Sequence, residues 1–285
     1  MSNQKIVVVT DSTAYIPQEA RGGLNIPVIP LWLIWGDERF RDGVDIAPSD
    51  FYRRLQGAKT FPTTSQPSAG EFTEFFQQAS DGADGIAGIF ISSKLSGTVP
   101  NAQAAQAQLT DLNIQVVDSF HTSMSLGFIA LTAARAAAAG KSMEEVVAAA
   151  EKVRDTVHIL FTVGTLDYLH RGGRIGGAKR LMGTVLNIKP LLHLEGGGVE
   201  PLAQVRTKRK AVARMLEIAE ERLGGKPAAE VAVLDVNAAD EGDALAEQAK
   251  ERLGVSTIRR TGVSPVIGAH LGPGTVGIAL YPEMG

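Results

Sequence analysis

Gly85-Ile86-Ala87-Gly88-Ile89-Phe90-Ile91-Ser92 runs into Ser93-Lys94-Leu95-Ser96-Gly97-Thr98 and then into an Ala- and Gln-rich stretch that ends near Leu109. The first segment is short and apolar throughout, which reads as a fully buried strand rather than an amphipathic helix. The serine-rich loop ends it, Thr98 to Leu109 reads as a helix, and Ile114-Asp118 reads as the next strand. Strand, loop, helix and strand in that order point to an α/β fold with a mostly parallel sheet flanked by helices.

The same alternation extends outward on both sides. Ile6-Thr10 reads as a first strand with Asp11-Ser12-Thr13 as its terminal loop, and Val28-Trp35 as a further strand. Pro48-Ser49-Asp50 starts a short helix, and Ser68-Ala69-Gly70-Glu71 is a capping box. The box predicts a helix over 69–79 with Phe72, Phe75 and Phe76 turned inward. Helices are expected from Ser123 to Ala139 and from Met143 to Arg154, and a strand over His158-Thr162.

After Gly164 the texture changes. A short helix at Thr165-His170 is followed by a glycine-rich loop over 172–177. Leu191-Glu195 and Val199-Gln204 flank Gly196-Gly197-Gly198 as a hairpin. Arg209-Leu223 and Asp240-Leu253 read as helices, and Glu230-Val236, Ser256-Thr261 and Val276-Tyr281 as strands. The expectation is two α/β domains with a boundary near Val163: residues 1–163 with the mostly parallel sheet, and residues 164–285 as a smaller mixed-sheet domain.

Composition narrows the chemistry. The chain has 285 residues, 44% hydrophobic and 21% charged, enough to bury a sizeable core. It has no cysteine, which removes disulfides, thiolate nucleophiles and Cys-ligated metal centres. The net charge of -3 argues against a dominant nucleic-acid role. The four apolar residues Ile6 to Val9 are too short for a signal-peptide core, and no run of about 18 apolar residues predicts a membrane span. The protein is expected to be cytoplasmic.

The familiar catalytic patterns fail. Gly272-Pro273-Gly274-Thr275-Val276-Gly277 fits G-x-G-x-x-G, but a dinucleotide fingerprint must open a helix, and a strand is expected there instead. Gly172 to Lys179 has the glycines of a phosphate loop, with wrong spacing and Arg180 where Ser or Thr should follow the lysine. No G-x-S-x-G elbow surrounds Ser92, Ser93 or Ser96, and the five histidines lack metal-ligand spacing. What remains is a set suited to a small anion: Thr64 and Ser65 in Thr63-Thr64-Ser65-Gln66-Pro67-Ser68, the Ser96-Gly97-Thr98 turn, and His270 among Gly268, Gly272 and Gly274. Hydroxyls, amides and an imidazole can satisfy a carboxylate without a lysine or a metal. Each is a weak signal alone, since hydroxyl-rich turns most often merely cap helices. Asp11 and Asp118 each end a strand before a serine, and are read as loop caps in preference to ligand-facing carboxylates. Among the basic residues of the second half, Arg174 stands apart because flanking glycines leave its planar fork free to reach an anion.

Taken in order, Thr10-Asp11-Ser12, Thr64-Ser65-Gln66-Pro67-Ser68, Ser93-x-Leu95-Ser96-Gly97-Thr98, Asp118-Ser119, Gly172-Gly173-Arg174-Ile175, Leu186-Asn187-Ile188-Lys189-Pro190, Val205-Arg206 and His270-x-Gly272-Pro273-Gly274 resemble the DegV family over essentially the whole chain. That family comprises bacterial fatty-acid-binding proteins, some of them binding subunits of fatty acid kinase. The resemblance implies two α/β domains with a lipid site at or near their junction, and a long-chain fatty acid such as palmitate, stearate or oleate as ligand. It implies a head group held by Thr64, Ser96 and His270 with Ser65 beside them, and Arg174 and Arg206 in contact with phosphate or with the partner. It further implies a separate catalytic subunit that phosphorylates the bound carboxylate, and no catalytic residue, cofactor or metal in this chain. Ile29-Trp35, Ile86-Ile91, Leu126-Leu131 and Leu181-Leu192 are candidates for lining the acyl tunnel. The competing reading is an enzyme for a small acidic or phosphorylated metabolite, with Asp11, Ser96 and His270 as its reacting groups.

Overall fold

A computed structural model describes residues 5–56, 58, 60–183 and 188–284. The first part of the chain gives β1 (Ile6–Asp11), α1 (Gln18–Arg21), β2 (Val28–Ile29), β3 (Trp32–Trp35), β4 (Glu38–Arg41), α2 (Pro48–Gln56) and β5 (Thr63–Ser65). It continues with α3 (Ala69–Ala79), β6 (Gly85–Phe90), α4 (Thr98–Gln108), β7 (Ile114–Asp118), α5 (Ser123–Ala138), α6 (Met143–Arg154) and β8 (His158–Thr162). The remainder is α7 (Asp167–Arg171), β9 (Lys189–Glu195), β10 (Gly198–Val205), α8 (Lys208–Leu223), β11 (Ala228–Val236), α9 (Ala239–Leu253), β12 (Arg259–Thr261), α10 (Pro265–Leu271) and β13 (Thr275–Pro282).

Two compact units emerge, Met1–Ile46 with Thr64–Asp155 and Ala47–Thr63 with Thr156–Gly285. A single cut near Val163 therefore does not describe the chain. β8 is hydrogen-bonded to β9 and β13 in the second unit's sheet, and the segment containing α2 also belongs to that unit. Strand partners lie far away in sequence, so local pattern assigns a strand without assigning its sheet.

The first unit carries a wholly parallel sheet in the order β2-β1-β6-β7, and β3, β4 and β5 form a three-stranded sheet in the order β4-β3-β5. Val28-Trp35 is not one strand. Pro30 has no N–H to give to a ladder, and the chain breaks there. Leu31 N donates instead to Ser12 Oγ at 3.1 Å, and β3 begins a different sheet. On one face of the parallel sheet Ile86 and Phe90 of β6 pack against Phe72 and Phe76 of α3 and Val99, Ala102 and Ala105 of α4. The Ser68–Glu71 capping box starts α3 as its sequence demands, and turns Phe72 and Phe76 fully inward while Phe75 is half-buried. Burying each phenyl group contributes about 1.5–3 kcal/mol. α5 and α6 pack together, with α5 against β1.

The second unit holds a mixed six-stranded sheet, β10-β9-β8-β13-β11-β12, with β11 and β12 parallel and the other neighbours antiparallel. The β9–β10 hairpin turns at Gly196 and Gly197, whose φ values of 54° and 86° suit a two-residue turn that ordinary side chains resist. Leu160, Val233 and Ile278 of the sheet meet Met215 and Leu216 of α8 and Leu245 and Ala249 of α9. Among the described residues no helix is long and apolar enough to cross a membrane.

Asp11 closes the carboxyl end of β1 and is fully buried. Its Oδ1 accepts from Thr13 N at 2.9 Å and Thr13 Oγ1 at 2.5 Å, and its Oδ2 accepts from Ile91 N at 2.7 Å. Burial pushes the carboxyl up to about 6, against the opposing pull of those hydrogen bonds. Asp11→Ala, which strands buried N–H groups, should cost about 2–4 kcal/mol near pH 5 in denaturant unfolding. Because the folded group holds its proton more tightly than the unfolded one, its contribution is full below about pH 4 and falls as pH rises through about 6. The gap between wild type and Asp11→Ala should therefore narrow over that window. A gap that widens with pH contradicts the assignment.

Candidate functional site

Chain order and sheet order mark one edge of the first unit's parallel sheet. From β1 the chain passes to β2 on one side, whereas β6 leads to β7 on the other. The carboxyl ends of β1 and β6 thus form the topological switch point, where open α/β sheets take their ligands. The Asp11–Ile91 hydrogen bond spans its base.

The loop after β6 is wound tightly at this edge. Leu95 N and Ser96 N donate to Ser92 O at 2.9 and 3.1 Å, while Ser92 N donates to His121 O at 2.9 Å. Asp118 accepts from Ser93 N at 3.2 Å and Phe120 N at 3.0 Å, so Asp11 and Asp118 are both loop caps. Ser96 Oγ lies 2.8 Å from Thr98 Oγ1. Gly97 caps α4 without a side chain, and Pro100 has no N–H. The N–H groups of Thr98 and Val99 then have no acceptor inside the helix, and the positive end of its dipole lies beside Ser96.

Thr64 and Ser65 lie on β5, with Ser65 Oγ donating to Gln66 O at 3.2 Å. The Gln66 side chain rests on Gly97, where a Cβ would come to 3.0 Å from Gln66 Nε2. Asn101 Nδ2 of α4 donates to Pro67 O at 2.7 Å. These contacts fasten the Thr64-Ser65-Gln66-Pro67 segment to the start of α4, so the segments carrying Thr64, Ser65 and Ser96 come together. A cavity of about 290 Å³ adjoins them, lined among others by Trp32, Arg39, Ser65, Gln66, Glu71 and Asn101.

In the second unit His270 occupies the last turn of α10, not the irregular glycine-rich segment that its neighbours suggest. The missed signal is Ser264-Pro265: Ser264 Oγ accepts from Ile267 N at 3.4 Å, and proline suits the first helical position. The His270 ring lies against Gly172 so closely that a Cβ there would overlap Nδ1. Arg174 Nη1 donates to Gly172 O at 2.7 Å. Burial, then the positive charge of Arg174, pulls the imidazole down to about 4. It is neutral at pH 7 and carries a single N–H. Arg206 is exposed immediately after β10. The glycine-rich stretch over 172–177 is only partly a loop, since Gly176 opens a 3-10 turn that runs to Leu181. Gly272 to Gly277 leads into β13 rather than a helix, as a non-nucleotide motif should. Leu186 and Asn187, and the 184–187 part of the proposed tunnel segment, lie outside the described residues.

The DegV family profile, a family described as uncharacterised, matches residues 5–283. This chain belongs to the DegV family. A DegV domain-containing protein of Streptomyces coelicolor is 42% identical over 280 residues, covering 98% of this chain and 99% of that protein. Two solved DegV structures also superpose along its length. One, from Thermus thermophilus, is described as a fatty-acid-binding DegV family protein, with 36% identity, a TM-score of 0.92 and coverage of 98% and 100% of the two chains. The other is DegV of Bacillus subtilis, described as a fatty acid binding protein, with 33% identity, a TM-score of 0.90 and coverage of 98% and 100%.

The electrostatics of this DegV chain can be checked directly. In a proton NMR titration the His270 imidazole should show a midpoint near 4. A midpoint near the ordinary histidine value of about 6.5 contradicts the burial and Arg174 argument.

Proposed function

We propose that this chain is a cytoplasmic carrier of long-chain fatty acids, such as palmitate, stearate or oleate, that presents the bound carboxylate to a separate fatty acid kinase catalytic subunit. The observation that carries the reading is the near-full-length likeness to two fatty-acid-binding DegV proteins. The competing metabolite enzyme loses a member, because both carboxylate oxygens of Asp11 are already committed in the interior.

In this reading Thr64, Ser65, Ser96 and His270 hold the head group. Hydroxyl donors, the amino end of α4 and a neutral imidazole N–H replace the water that a carboxylate loses, a loss that is costly without compensation. The tail supplies most of the affinity, since each buried methylene contributes about 0.8 kcal/mol. Arg174 and Arg206 serve the phosphate or the partner subunit, which brings the ATP. The carrier itself has no catalytic residue.

A hydrogen bond to a charged group contributes about 1.5–3 kcal/mol. Ser96→Ala and His270→Ala should therefore each weaken fatty-acid binding roughly ten- to a hundredfold in a calorimetric titration while the fold is retained. Unchanged affinity in both variants removes these residues from the site. Arg174→Ala should keep its ligand but form acyl phosphate more slowly with the catalytic subunit, and normal turnover would take Arg174 out of the mechanism.

A further inference from the structure

We infer that the cavity beside Ser65 is a subsite for the phosphoryl group of an acyl phosphate, with Arg39 as its cation. The inference rests on the carrier reading and extends it from the acid to the phosphorylated product. In the transfer, a carboxylate oxygen forms a bond to the terminal phosphorus of ATP on the catalytic subunit. The bond from that phosphorus to the bridging oxygen breaks, and ADP leaves with the electron pair. The new phosphoryl group then extends outward from the head-group hydroxyls and needs a polar space next to them.

The cavity has those properties. At about 290 Å³ it lies near the lower limit of small-molecule sites, which suits a head group rather than a whole lipid. Ser65, a member of the proposed carboxylate set, forms part of its wall, so the two places share a border. β3 alternates, burying Leu33 and Trp35 and leaving Trp32 and Ile34 on the outer face, where the register pairs Ile34 with Arg39 of β4. The next outward arginine is engaged: Arg41 Nε and Nη2 donate to Asp45 at 3.0 and 2.9 Å. Arg39 makes no ion pair among the described residues.

The one carboxylate in the wall is committed elsewhere. Glu71 Oε1 accepts from Trp32 Nε1 at 2.8 Å, and Oε2 accepts from Ser68 N at 2.8 Å and Ser68 Oγ at 2.7 Å. Arg39 is exposed on the edge strand β4 and lines the cavity with a planar, permanently charged fork whose geometry matches phosphate oxygens. Because the phosphoryl group exists only after transfer, Arg39 favours product over substrate.

Trp32 provides the reporter, as the other tryptophan, Trp35, is buried. Wild type, Arg39→Gln and Trp32→Phe would be titrated with palmitate, with a hydrolysis-resistant palmitoyl phosphonate, and with inorganic phosphate alone. The expected result is that Arg39→Gln weakens the phosphonate about tenfold or more while palmitate shifts less than about twofold, with a phosphonate-induced emission change absent from Trp32→Phe. Arg39→Lys should fall between wild type and Arg39→Gln. Equal effects on palmitate and phosphonate, or none on either, overturn the subsite. Binding of inorganic phosphate with the same Arg39 dependence and no preference for the acyl-borne group overturns the product assignment in favour of free phosphate. If wild type binds neither acyl ligand, the carrier reading itself fails, a result distinct from loss of the Arg39 effect alone.

Discussion

A buried carboxylate that ties two strand ends together sets the terms for the first unit. Asp11 joins the end of β1 to the 3-10 turn that follows and to the first residue beyond β6. A charge in that position is costly, as its raised pKa records, and several donors are needed to hold it. The return is positional. With the switch point pinned from below, the loop over Ser92 to Gly97 can wind tightly and deliver Ser96 to the amino end of α4.

At the switch point of the first unit the polar groups beside Ser96 are dipoles rather than formal charges. Ser96 and Thr98 place their hydroxyls beside the open amino end of α4, while Ser65 Oγ on β5 gives its proton to Gln66 O. In the second unit burial and the charge of Arg174 keep His270 neutral near pH 7, so its ring carries a single N–H and no charge. In the proposed carrier, dipoles of this kind suit a monoanionic carboxylate that is later passed on.

Much of this was legible in the sequence because it follows from short-range rules. The β6–α4–β7 succession, the capping box of α3 and the two-glycine turn between β9 and β10 each carry their signal within a dozen residues. The misreadings are long-range or depend on single residues. Pro30 divides an apolar run between two sheets, and β8 joins β9 and β13 far along the chain. α10 was hidden by the glycines around His270, although Ser264-Pro265 announces it. For the site, the hydroxyl motifs were visible as motifs, but the contact of Gln66 with Gly97 that draws two of them together depends on folding. Arg39 carried no signal of its own, because its role comes from its register opposite Ile34.

The central claim is that this DegV chain carries a long-chain fatty acid, and mass spectrometry of the purified protein tests it most directly, first under native conditions and then after organic extraction. The account predicts one long-chain fatty acid per chain at near-stoichiometric amount, released on extraction. A protein that is empty as purified and also refuses added palmitate, stearate and oleate would contradict it.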